Sequence, residues 1–180
     1  MLAKLHALVP NEHRDSALQD TPYRWEKMMY EMTEGYSVNI AGLFKTFDQQ
    51  GYDGMVVVGP IRFSSMCEHH LLPFMGDAWV GYLPNAHTRR IVGLSKLARL
   101  VDAHARRLQV QERMTHDIAR DIVTHLRADG AGVRIESQHT CMSCRGIKKE
   151  GIMRTQSLLG SFKKSHAVRA EFIELCRRGT

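Results

Sequence analysis

The 180-residue sequence contains no run of 18 or more apolar residues, so no transmembrane helix is expected. The opening stretch MLAKLHALVPNEHRD has no apolar segment of signal-peptide length, and no secretory signal is expected either. Cysteine is sparse: four residues, at 67, 141, 144 and 176, too few and too unevenly spaced for a disulfide scaffold. Such a set fits a reducing compartment, read here as the cytoplasm, and points to metal or catalytic use. No internal repeat and no low-complexity segment is present. Nor is there a continuous basic block. Lys and Arg outnumber Asp and Glu by 25 to 19, but RLQVQER and RGIKKEG are short and interrupted by acids. A net charge of +6 without a basic stripe argues against nucleic acid and leaves a small polyanion as the partner. With 43% hydrophobic and 24% charged residues, the chain has enough apolar side chain for one folded domain.

Residues 1–20 show little periodicity and read as a short arm before a single domain over 21–180. Thr21 and Pro22 have the chemistry of an N-cap and a first helical residue. Trp25, Met28, Met29 and Met32 follow at helical spacing as expected core, with Gly35 as the stop. Gly51–Gly54 reads as a turn. MVVVGPIRFSS (55–65) and MGDAWVGYLP (75–84) read as strands. Ser95 is expected to cap a helix with Leu97, Leu100, Val101 and His104 on its apolar face. A second helix carries Val110, Met114, Ile118, Ile122 and Leu126, ended by Gly130 and Gly132. GVRIESQH and IMRTQSLL are two further strands. Ser165 caps a last helix bearing Val168, Phe172 and Leu175. The order β-β-α-α-β-β with flanking helices predicts an α+β fold with an antiparallel sheet.

Two clusters carry chemistry. SMCEHHLLPF supplies Cys67, Glu68, His69 and His70 at the end of an expected strand. QHTCMSCRG supplies His139, Cys141, Cys144 and Arg145 at the end of another. Thiolate and imidazole are the ligands Zn²⁺ prefers, and Cys67-x₂-His70 lets two side chains reach one ion. Two versions compete. A closed structural site would use Cys67, His70, Cys141 and Cys144. An open site would use three of these and leave a position for water. Spacing favours the closed version. The adjoining His69 and His139 favour the open one, because a structural knuckle needs no proton carriers, whereas three-ligand zinc lowers the pKa of water to about 7. The residues therefore point to metal-dependent hydrolysis of a polar substrate.

Lys96 and Arg99 lie three apart near an expected helix start, where backbone donors and the helix dipole favour an anion. Arg145 follows Cys141 by four residues. These cations suggest a phosphorylated substrate. Glu112, in VQER, offers a carboxylate that can accept from adjacent N–H groups, as guanine presents them.

Taken in order, TPYR, CEHH, VGLSKLAR, RLQVQER and the H-x-C-M-x-x-RG segment resemble the zinc-dependent GTP cyclohydrolase I enzymes, from about Thr21 to about Leu175. The resemblance implies the tunnelling fold, a four-stranded antiparallel sheet backed by helices with an N-terminal helix. It also implies pentameric rings that pair into homodecamers, with active sites between subunits. Carried onto this sequence, it makes Cys67, His70 and Cys141 the zinc ligands. His69 and His139 become the proton-transfer pair, with Ser95 near the ribose. Glu112 anchors the guanine, with Gln111 beside it. Lys96, Arg99 and Arg145 cradle the triphosphate, joined by Arg24 from a neighbouring subunit. The implied reaction hydrolyses GTP at C8, opens the ring, releases formate and rearranges to 7,8-dihydroneopterin triphosphate, for folate or other pterin synthesis. Three features depart from the family pattern: the short arm before TPYR, Gln138 where a glutamate often stands, and Cys144, which is not a usual ligand position.

Overall fold

The computed structural model describes residues 16–48 and 50–177. Most of the expected arm therefore lies outside the described residues. A short helix, α1 (Ser16–Gln19), leads into α2 (Thr21–Thr33) and a 3₁₀ turn over Glu34–Ser37. After α3 (Ile40–Leu43) come β1 (Thr46–Asp48), β2 (Val56–Cys67), β3 (Pro73–Leu83) and β4 (Arg90–Val92). Helix α4 (Leu94–Ala105), strand β5 (Leu108–Gln109) and helix α5 (Gln111–Leu126) follow. The chain closes with β6 (Gly130–His139), α6 (Thr140–Ser143), β7 (Ile152–Gly160), α7 (Ser161–Lys164) and α8 (His166–Leu175).

The expected antiparallel set is present as β2-β3-β6-β7, giving an α+β fold. The sheet nevertheless has five strands in the order β5-β2-β3-β6-β7, because Leu108 and Gln109 pair in parallel with Met66 and Cys67. Two residues carry no periodicity, so β5 leaves no sequence signal. A separate ribbon joins β1 to β4, with Thr46 opposite Val92 and Asp48 opposite Arg90.

Strand β3 is central and buried on both faces, as its near-continuous run Ala78–Tyr82 requires. One face presents Phe74, Ala78, Val80 and Tyr82 to α4 and α5, which contribute Leu97, Leu100, Val101, Met114, Ile118 and Ile122. On the other face, Trp79 packs with Phe162 and Phe172 from the C-terminal helices. Gly81 and Gly132 lie directly beneath those phenyl rings, where a Cβ would collide with them. Phe172 is fully buried, so Phe172→Ala is expected to lower unfolding free energy by about 3–5 kcal/mol. Urea denaturation followed by far-UV circular dichroism measures this, and a loss near zero would show that the second cluster contributes little.

Several boundaries differ from expectation. Gly93, not Ser95, is the N-cap of α4: its extended backbone turns the chain, and its carbonyl accepts from Lys96 N at 2.8 Å. Helix α5 ends at Arg127 in the left-handed conformation (φ +54°), so Gly130 and Gly132 fall inside β6 instead of stopping the helix. Asp20 is the N-cap of α2, with Thr21 and Pro22 in its first turn. Ser165 does cap α8, accepting from Val168 N. The expected core role of Trp25, Met28, Met29 and Met32 is not met: α2 buries none of its residues, and Met28 is 40% exposed. The periodicity is genuine, but α2 packs mainly on the Glu34–Ser37 turn.

Candidate metal centre and active site

Topology builds the site before any side chain does. Strands β2 and β3 form a hairpin whose turn spans 68–72, closed by Cys67 N donating to Leu72 O and Leu71 N donating to Cys67 O, both 2.9 Å. Leu71 takes a left-handed backbone (φ +52°) to make that turn. On the far side of β3, Phe74 pairs in register with His139 at the end of β6. The last residue of β2 and the segment after β6 therefore flank the same end of β3. Thr140 Oγ1 ties the two segments together by donating to Pro73 O.

The ligand atoms of Cys67, His70 and Cys141 lie within 4.8 Å of one another. Two thiolates on a tetrahedral zinc sit about 3.8 Å apart, so this set fits such an ion with small closure. Cys144 is exposed, caps the C-terminus of α6 and stands outside the cluster. The geometry favours three ligands over four among the described residues. Burial, with the Cys67 thiol alongside, pushes the Cys141 thiol up; a bound dication reverses that balance. Arg145 donates to His70 Nε2 at 2.8 Å and so belongs to this end of the molecule. His69 lies with Nδ1 4.0 Å from Cys67 Sγ.

His139 is held on two sides. Its ring stacks on Phe74 at 4.5 Å and 5°, and its Nε2 meets Gln111 Oε1 at 2.9 Å. The orientation of the Gln111 amide follows from its partners. Its Nε2 faces Ile135 O, Met153 O and Thr155 Oγ1, while its Oε1 accepts from Ser137 Oγ. Reversing the amide would set its oxygen against two carbonyls. With Oε1 fixed as acceptor, His139 carries its proton on Nε2 and leaves Nδ1 open. Burial lowers the affinity of His139 for a second proton, while the Glu112 charge raises it. Gln111 is itself buried, and its side chain bonds to Ile135, Ser137, His139, Met153 and Thr155. If His139 moves protons as the family resemblance implies, Gln111→Leu lowers turnover about 10–100-fold with little change in KM, since it releases His139 without touching the ligands. An unchanged kcat would show the His139 tautomer to be unimportant.

A second network was not legible in the sequence. Arg113 Nη2 reaches Glu68 Oε2, and its Nε donates to Gln109 Oε1 at 3.2 Å. Glu68 N donates to Gln109 O at 3.0 Å. These bonds lock the Cys67–His70 turn to the first turn of α5, where Glu112 is exposed. Arg113 holds the Glu68 carboxyl below the usual carboxylate range. The pair lies 45 positions apart, a separation that spacing rules do not address.

Ser95 and Lys96 are not beside the cluster in the single chain. The Tyr82 hydroxyl accepts from Val92 N at 3.2 Å and so anchors the start of α4 near Tyr82. Tyr82 is eight residues along β3 from Phe74, about 27 Å at strand rise. Helix α4 runs back toward the cluster, where His104 O accepts from Gln109 Nε2 at 2.9 Å. Arg99 lies midway along it, exposed. Arg24 is on α2, bonded to Thr21 Oγ1 at 3.2 Å and 3.7 Å from Asp20.

Fold and site together define an α+β protein with a three-residue Cys-His-Cys centre at one end of its sheet, flanked by two histidines. The GTP cyclohydrolase I family model matches residues 2–177, and the chain belongs to that family of hydrolases. It is 45% identical to GTP cyclohydrolase 1 of Coxiella burnetii over 98% of this chain and 95% of that one. Against the Dehalococcoides mccartyi (strain ATCC BAA-2266 / KCTC 15142 / 195) enzyme of the same name it is 46% identical over 89% and 85%. Among solved structures, the archaeosine synthase QueF-Like in its apo form aligns over 58% of this chain and 91% of its own, with 15% identity and TM-score 0.42. No helix among the described residues is long and apolar enough to cross a membrane.

Proposed function

We propose that this chain hydrolyses GTP at C8, releases formate and yields 7,8-dihydroneopterin triphosphate. The observation that carries the reading is the convergence of Cys67, His70 and Cys141 within 4.8 Å, beside His139 and within electrostatic reach of Glu112. Zinc, if held by those three residues, would supply a Lewis acid that makes water nucleophilic near neutral pH. Glu112 accepts from the ring N–H and amino group of guanine and so excludes adenine. His139 takes a proton at its open Nδ1 and delivers it to N7 as water adds at C8 and the ring opens. A second hydrolysis frees formate. His69 assists opening of the ribose, near Ser95, before an Amadori-type rearrangement closes the pterin ring.

Lys96, Arg99 and Arg145 bind the triphosphate in this reading, with Arg24 as a further phosphate contact. Their separation within one chain supports an active site completed by neighbouring copies in a pentameric ring, two of which form the decamer. The partly covered face of α2 supports the same assembly. The domain runs from 21 to 180, preceded by the arm. Free thiols as metal ligands support a cytoplasmic setting for this step of folate or other pterin synthesis. Incubating zinc-loaded protein with GTP, then assaying formate and fluorescent neopterin after oxidation, tests the proposal. Formate from GTP but not ATP is the expected result; no formate, or equal turnover of ATP, overturns it.

A further inference from the structure

We propose that the cleft between the β1–β4 ribbon and the last turn of α5 is a second anion site, built for a small molecule bearing a phosphate. The cleft has a volume of about 520 Å³ and is lined chiefly by Phe44, Thr46, Thr88, Arg90, His125 and Arg127. That volume lies within the usual range for small-molecule sites, roughly 300–1,000 Å³. It stands near the start of α4, well away from Cys67, His70 and Cys141 of the same chain.

Charge selects the ligand class. Among the described residues, two guanidinium groups and one imidazole line the cleft, and no carboxylate does. Asp48 stands opposite Arg90 in the ribbon and lines the adjoining cleft, with its Oδ1 accepting from Gln50 N, and Asp129 Oδ1 accepts from Asn85 Nδ2. Neither Arg90 nor Arg127 makes an ion pair among the described residues. The C-terminal carbonyls of α5 oppose an anion with about half a negative charge, which two full guanidinium charges outweigh. Guanidinium forks match phosphate oxygens in pairs. The Phe44 and His125 rings, 5.3 Å apart, form an aromatic wall suited to the organic part of such a ligand.

The walls are also preorganised. Asn85 Oδ1 accepts from His87 N and Thr88 N, and Arg89 N donates to Asn85 O at 2.9 Å. Arg90 Nη1 donates to Thr46 Oγ1 at 3.3 Å, fixing the guanidinium on the ribbon.

Calorimetric titration of the full-length, zinc-loaded protein with inorganic pyrophosphate tests this, with succinate as a dicarboxylate comparison. Arg90→Gln and Arg127→Gln are each expected to weaken one pyrophosphate site per chain by about tenfold or more. Lys96→Gln separates this site from the substrate cradle and is expected to leave it intact. The proposal is overturned if no such site is detected, if succinate binds equally well, or if Lys96→Gln abolishes binding while the two arginine variants retain it.

Discussion

Cys141→Ser is expected to emerge from purification without zinc and to release no formate from GTP, while Cys144→Ser keeps both. Among the described residues only three ligand atoms converge, those of Cys67, His70 and Cys141, so these supply no spare donor. A serine hydroxyl is not a thiolate, and an open zinc site that loses one of three protein ligands loses most of its affinity. Cys144 is exposed at the end of α6 and contributes nothing to the convergence. Elemental analysis of the two variants beside the parent protein decides the matter. Zinc missing from the Cys144 variant would restore the four-ligand site and remove the position at which water is activated. Because Cys141 is only half-buried at the head of a four-residue helix, the apo variant is expected to fold, which thermal unfolding checks.

His139→Ala is expected to keep zinc and GTP binding while turnover falls by about 10²–10⁴, the usual worth of a positioned proton carrier. The structure sharpens the expectation. Gln111 ties up Nε2–H, so the proton exchanged with substrate passes through Nδ1. Ring opening at C8 should therefore stall in this variant. His69→Ala should fail later, allowing a ring-opened or deformylated species to accumulate, because His69 stands on the other ligand loop beside Cys67. Rapid quench with mass analysis distinguishes the two. Wild-type turnover in both variants would make the histidines supports for the ligand loops and sink the mechanism.

Both predictions rest on side chains that the sequence had already singled out. CEHH and the H-x-C segment stand at expected strand ends and carry soft ligands, which put Cys67, His70, Cys141 and Cys144 forward; spacing favoured all four, and the family resemblance singled out the first three. Gln111 shows the limit. It precedes Glu112, and the resemblance placed both at the guanine. Helix geometry turns adjacent residues about 100° apart, so Gln111 points into the core and meets Ser137 and His139 while Glu112 faces out. The Glu68–Arg113–Gln109 network and strand β5 escaped for another reason. They are non-local, and nothing in 3.6- or 2-residue periodicity encodes a partner 45 positions away.

The sequence by itself determined the types of the long elements, an antiparallel sheet within an α+β fold, the capping of α8 by Ser165, and the ligand chemistry. Those depend on local pattern and on residue identity. Tertiary structure decided which of four cysteines and histidines converge, because only the pairing of Phe74 with His139 brings the two strand ends to one place. It decided the His139 tautomer, which depends on an amide oriented by strands β6 and β7. It also decided that Trp25, Met28, Met29 and Met32 are not core. An apolar stripe records that something should cover a helix, while packing alone says whether the same chain supplies the cover. The position of Lys96 follows the same rule: its charge is written in the sequence, but its distance from Cys67 is set by the length of β3 and the direction of α4.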